Sequence, residues 1–169
     1  MAETFAKFMI EKLSAMPPEL IIFIISMVPI LELRGGMIAA ALLKIPLMRA
    51  LPICIIGNLI PVPFILLLIT PIFSWLKKTK LFRPLVEKLE AKAMGKSEQV
   101  AKAEFWGLLL FVGIPLPGTG AWTGGLIASL LDIKPKRKAF LAEVLGILLA
   151  ASIMCVVTYL IPWIISNVV

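Results

Sequence analysis

Val28-Pro29-Ile30-Leu31-Glu32-Leu33-Arg34-Gly35-Gly36 and Ile114-Pro115-Leu116-Pro117-Gly118-Thr119-Gly120-Ala121-Trp122-Thr123-Gly124-Gly125 each interrupt an apolar run that would otherwise cross a membrane. Irregular backbone at membrane depth is tolerated only where protein buries it or where it lines a cavity, because lipid offers N–H and C=O groups no partners. Two matched breaks therefore predict one shared site.

The lengths on either side of the breaks set the expected architecture. Residues 19–31 and 36–45 are each about a dozen residues, roughly 18 Å of helix against about 30 Å of hydrocarbon. Neither arm spans alone, so residues 19–45 read as a re-entrant helical hairpin, and residues 105–132 repeat the pattern. Residues 50–76 and 138–165 are long enough to cross with tilt. A shift of 89 positions sets Gly35-Gly36 on Gly124-Gly125, Pro46 on Pro135 and Gly57 on Gly146, which reads as an internal duplication of the kind common in transporters. A hairpin plus one crossing is an odd number of crossings, so the second copy is expected upside down. Residues 19–76 and 105–165 are then the two halves of an inverted repeat within a single membrane domain, residues 1–169. Four or more simple spans, with Glu32 and Arg34 in a surface turn, remain the alternative.

Composition agrees with lipid as the solvent. The 169 residues are 60% hydrophobic and 16% charged, with mean hydropathy +1.03, too apolar for a water-soluble core of this size. There is no histidine, and Cys54 and Cys155 stand alone in apolar runs. Zinc sites, haem attachment and Cys-His catalysis lack ligands, so no metal and no cofactor are expected. No Ser-His, Asp-Asp or metal-ligand set lies at membrane depth, which argues against an enzyme.

The net charge of +7 lies in lysines beside apolar segments, as anionic-membrane contacts do, and suggests no nucleic-acid partner. Twelve cations fall between Lys77 and Lys102 or between Lys134 and Lys138; four, Lys7, Lys12, Lys44 and Arg49, fall on the other face. That bias predicts a cytoplasmic 77–104 linker and both termini outside. Residues 1–18 mix Glu3, Lys7, Glu11 and Lys12 with apolar positions and read as an interfacial amphipathic helix retained in the mature chain. In the linker, Pro84 suits a first helical turn, with Leu85, Leu89 and Ala93 on one stripe. Trp75, Trp163 and Tyr159 read as interface anchors.

Arg34 stands out chemically. Its guanidinium stays charged, and a charge inside a membrane must be paired or must meet water. Glu32, two residues away, could close a purely structural clasp with it across a turn. Alternatively Arg34 binds an anionic group while Glu32 carries a proton. Half-helices starting near Gly35 and near Gly120 would offer free N–H groups and positive dipole ends to such an anion. Gly118 and Gly120 allow close approach or positive φ, Thr119 and Thr123 supply hydroxyls, and Pro115 and Pro117 fix the entry. Gly36 to Ala40 and Gly120 to Gly124 also fit the small-xxx-small spacing of plain helix packing. Trp122 either stacks on substrate or fills the hairpin. Asn58 with Pro61 and Pro63 is expected to kink the first long helix, with no counterpart in the second. Glu143 is a candidate proton relay, set against a snorkelling or lysine-paired carboxylate.

Three motifs, Glu32-Leu33-Arg34-Gly35, Gly57-Asn58-Leu59-Ile60-Pro61-Val62-Pro63-Phe64 and Pro115 to Gly124, resemble the signatures of the small multidrug export protein family, a prokaryotic membrane family similar in layout to the DedA-like superfamily. The resemblance covers about residues 17–165. It implies a multi-pass protein of the prokaryotic inner membrane with paired re-entrant hairpins, forming a homo-oligomer, a dimer foremost. It further implies proton-linked transport or lipid scrambling, with Glu32 and Arg34 at the acidic and basic hairpin positions. Many DedA-like members carry another arginine around residues 111–117, where this chain has only apolar residues and prolines. The expected activity is transport of a small molecule or lipid with an anionic group. A proton-coupled exporter of lipophilic cations and a non-transporting assembly factor are the alternatives.

Overall fold

Prolines set the helix boundaries more than glycines do. The computed structural model describes residues 2–80, 82–95, 104–116 and 118–168, and every regular element among them is helical. Val28, ahead of Pro29, is extended at φ −74° and ψ 131°, as the clash with the following ring requires. That ends α2 (Pro18–Met27), and α3 (Glu32–Leu42) begins four residues later. The break is thus residues 28–31, not Glu32 to Gly36 as the sequence suggested. Glycine in a helix costs only about 1 kcal/mol, and here it permits close packing: a Cβ on Gly36 would collide with Ser26 Oγ and Cys54 Sγ.

The second break falls where expected. α7 (Glu104–Gly113) and α8 (Ala121–Leu130) flank it, while Pro117 and residues 96–103, with Lys96 and Lys102, lie outside the described residues. The four arms α2, α3, α7 and α8 have 10, 11, 10 and 10 residues, about half a hydrocarbon thickness each. Among the described residues, two helices are long and apolar enough to cross a membrane, Leu47–Leu76 and Lys136–Asn167. The first comprises α4 (Leu47–Leu59) and α5 (Pro61–Leu76), joined through a helical Ile60. The second comprises α9 (Lys136–Cys155), a π-helical turn Val156–Leu160, and α10 (Ile161–Val168). The second long helix carries an irregularity of its own in that π turn, which the sequence reading did not foresee. Pro162 has no N–H to return to the preceding turn, and wider winding is one way a helix absorbs such a mismatch.

The two halves share local contacts. A Cβ on Gly57 would sit 2.8 Å from Phe23 O, and one on Gly146 would sit 2.9 Å from Leu109 O. Gly36 lies against Cys54 of α4, and Gly124 lies against Glu143 of α9. Both second arms end alike. Lys44 N–H donates to Ala41 O and Ile45 N–H to Ala40 O; Asp132 N–H donates to Ser129 O and Ile133 N–H to Ala128 O. This is the Schellman pattern, with Lys44 (φ 56°) and Asp132 (φ 50°) in the left-handed region. The hairpin matches are spaced by 88 residues and those of the long helices by 89, because Lys134 is inserted before Pro135 where Ile45 meets Pro46 directly. Gly36 and Gly124 thus have similar surroundings at a spacing of 88 residues, whereas the sequence reading set Gly36 on Gly125 at a spacing of 89.

Those left-handed positions carry a prediction. Lys44→Gly is expected to raise stability by roughly 0.5–1 kcal/mol, because relief of the left-handed strain exceeds the added chain entropy. Denaturant unfolding in mixed micelles measures it.

α1 (Ala2–Lys12) packs on α2 and α3. It buries Ala6, exposes Phe8, and carries a Glu3–Lys7 ion pair of 2.7 Å. α6 (Arg83–Met94) holds Pro84 in its first turn and packs on α5 and α8. Val86 is buried, and Leu85 and Leu89 of the expected apolar stripe are exposed. Lys77 ties α6 back through Glu90 at 2.5 Å. Tyr159, expected as an interface anchor, donates its hydroxyl to Ile45 O at 3.1 Å and links the π turn to the end of the first hairpin.

Candidate functional site

The start of α3 and the second break meet in a clasp between the hairpins. Arg34 is partly buried and reaches across: Nη1 donates to Leu116 O at 2.5 Å, and Nη2 donates to Thr119 O at 2.7 Å and to Thr119 Oγ1 at 3.0 Å. A planar fork suits this task, because its separate nitrogens can hold two carbonyls at once. The Thr119 hydroxyl also lies 2.9 Å from Ile114 O and 2.8 Å from Leu116 O, and it accepts from Leu116 N–H at 3.2 Å. These bonds fix the course of residues 114–119.

Glu32 does the reciprocal job. It is 5% exposed, and its Oε2 accepts from Ala121 N–H at 3.2 Å while Oε1 accepts from Trp122 N–H at 3.1 Å. Those N–H groups open α8 and have no partner within the helix, and a carboxylate at this positive end is favoured. Glu32 adopts φ 50°, a left-handed conformation costing roughly 1–2 kcal/mol, which the two bonds to α8 offset. Strain of this kind clusters at functional positions. Gly120, just ahead of α8, has φ 132° and ψ −178°, a region open in practice only to glycine. A Cβ there would fall on the Glu32 carboxylate. Trp122 closes the circuit by donating Nε1–H to Met27 O, the last residue of α2, at 3.0 Å.

Two expectations are corrected by this geometry. Glu32 and Arg34 form no ion pair with each other, and each engages the opposite hairpin instead. The α8 N-terminus is not free, because the protein's own carboxylate occupies it. The sequence-selected residues Glu32, Arg34, Thr119, Gly120 and Trp122 come together. Pro115 and the exposed Gly118 (φ 76°) belong to the break that is clasped. Gly35 instead packs against Leu31, and Thr123, partly exposed one residue beyond Trp122, takes no part. Pro61 lines an apolar groove of about 370 Å³ with Ile60, Phe64, Ile65 and Leu68, and Met27 and Trp122 bring that groove to the clasp.

Glu143 is neither snorkelling nor lysine-paired. It is fully buried, and no described protein donor reaches either carboxyl oxygen. Its Oε1 lies 2.9 Å and 3.6 Å from where Cβ atoms on Gly124 and Gly125 would stand. Asn58 Oδ1 is likewise buried without a described donor. What sequence reasoning missed are the carbonyl partners, Leu116 O, Thr119 O and Met27 O, and that Glu32 itself takes the first N–H groups of α8. Such groups leave no residue signature; the available signal was a charged pair in one half facing a Gly/Pro-rich break in the other.

No curated protein and no solved structure gives a significant match to the chain. The sequence model of the family described as "Putative small multi-drug export protein" matches residues 32–153, more than two thirds of the chain. The match opens on Glu32 and takes in every described member of the clasp except Met27. On that coverage, the chain belongs to the putative small multi-drug export protein family.

Proposed function

We propose that this membrane protein is a transporter or lipid translocator in which the anionic group of the substrate competes with Glu32 for the α8 N-terminus. The observation that carries the reading is the Glu32 carboxylate seated on Ala121 and Trp122 N–H, since a site already shaped for one anion suits another. When a substrate anion takes that place beside Arg34, Glu32 is released into surroundings where a bare carboxylate costs several kcal/mol. It then takes up a proton, which couples binding to proton movement. The apolar groove at Met27, Pro61 and Trp122 suits the hydrocarbon part of such a substrate.

In this reading α2–α3 and α7–α8 are re-entrant hairpins of an inverted repeat, supported by their half-membrane lengths and by the matched Schellman ends. The 77–104 linker is cytoplasmic and both termini are outside, as the lysine distribution favours. The DedA-like layout, a prokaryotic inner membrane and a homodimer belong to the same proposal.

A second reading, export of lipophilic cations by exchange on Glu32, draws on the family description. Proteoliposomes discriminate the two. Movement of a fluorescent anionic lysophospholipid is expected to fall by at least about tenfold, or about 1.4 kcal/mol, in Arg34→Ala; unchanged movement overturns the proposal. Ethidium efflux that needs Glu32 but not Arg34 would establish the second reading. Movement of neither probe, with a co-purifying membrane partner, would favour an assembly role.

A further inference from the structure

Glu143 is buried in contact with the same helix that Glu32 latches. Glu32 holds Ala121 and Trp122 N–H, and Glu143 lies under Gly124 and Gly125, about 4.5 Å further along α8. Burial without a described hydrogen-bond donor makes a charged carboxylate costly there, since none of its described neighbours replaces its lost hydration.

Those neighbours are few. Between Ala121–Leu130 of α8 and Pro61–Leu76 of α5 there is no titratable side chain. α3 offers Glu32 and Arg34, Arg34 being engaged with residues 116 and 119. α4 offers Cys54, seated against Gly36, and Arg49 in its first turn. α7 contains only Glu104, its first residue. The π turn offers Tyr159, bonded to Ile45 O. On α9 itself, Lys136, Arg137 and Lys138 lie in the first turn, more than one turn before Glu143, and Cys155 is the last residue, about three turns beyond it.

Packing does not call for an acid here. The matching slot in the other half, under Gly36, is filled by the thiol of Cys54. The carboxyl is therefore an addition to the shared architecture, placed beneath Gly124 and Gly125, where movement of α8 away from α9 would wet it.

We propose that Glu143 is a second proton-binding site of the cycle, holding its proton while Glu32 latches α8 and exchanging it with water only when the latch opens. The proposal rests on the reading that the Glu32–α8 contact opens during transport, but its test uses no substrate, so a failed transport assay leaves it standing or falling separately.

Infrared spectroscopy of the protein in lipid at neutral pH reads the carbonyl stretch of a neutral carboxyl. The expected result is a band present in the wild type, absent in Glu143→Gln, and absent also in Glu143→Cys, which copies the residue of the matching slot and guards against a folding defect in the first variant. If both variants remove only carboxylate absorption, the proposal is overturned. After transfer to D2O the band should shift at least about tenfold faster in Arg34→Ala or Thr119→Val, which weaken the latch, than in the wild type. Equal rates in both latch variants and the wild type would overturn the gating.

Discussion

Gly120→Ala is expected to lower stability by about 3 kcal/mol or more and to part the two hairpins at the clasp. Two costs combine. The backbone at φ 132° and ψ −178° is closed to a residue with a Cβ, a strain of roughly 1–3 kcal/mol. The new methyl would also occupy the position of the Glu32 carboxyl. The carboxylate must then withdraw, which strips Ala121 and Trp122 N–H of their partner, at about 1–3 kcal/mol for buried groups left unsatisfied. Denaturation in mixed micelles measures the loss, and Trp122 fluorescence reports the separation, since its indole bond to Met27 O depends on the same approach. A variant with wild-type stability and emission would show that the clasp is not a close contact.

Glu32→Ala is the second large effect, with an expected loss of about 3 kcal/mol. It removes a charged acceptor from two helix N-terminal donors, worth roughly 1.5–3 kcal/mol. It also leaves the Arg34 guanidinium without its acidic neighbour in an apolar setting. Relief of the left-handed φ at residue 32 is small, because alanine is no more at ease there than glutamate. Glu32→Asp should behave almost as badly, one methylene short of both N–H groups. The informative comparison is the double variant. Glu32→Ala vacates the space that a Gly120 Cβ needs, so Glu32→Ala with Gly120→Ala should cost about 1 kcal/mol or more less than the sum of the single changes. Strict additivity in a double-mutant cycle would mean that the two residues do not meet.

These effects also explain the unusual chemistry of the clasp. A charged pair within a membrane protein ordinarily closes on itself; here each partner engages backbone groups of the other hairpin. Arg34 adds a second hold on carbonyls of the 116–119 turn, and Glu32 holds N–H groups that no helix can satisfy internally. Two side chains thus hold two carbonyls and two helix-opening N–H groups across the clasp. A substrate that competes for either end inherits a ready-made set of partners.

Much of this was legible in the chain. Apolar runs too short to span, separated by proline and glycine, dictated half-length helices in pairs, because backbone groups in lipid must find partners in the protein. The spacing of Glu32 and Arg34 in one break, against Thr119, Gly120 and Trp122 in the other, named the side chains that meet. Tertiary structure decided the rest. It placed the helix start at Glu32, because Pro29 ends α2 early and packing against Ser26 and Cys54 absorbs the helical cost of Gly36. It sent Glu32 and Arg34 across to backbone atoms, which the residue pattern does not encode, and it buried Glu143 beneath Gly124. Periodicity and composition fix where a chain can be helical, but which polar atoms face one another depends on how the helices approach, and that is set by close contacts between residues far apart in the chain.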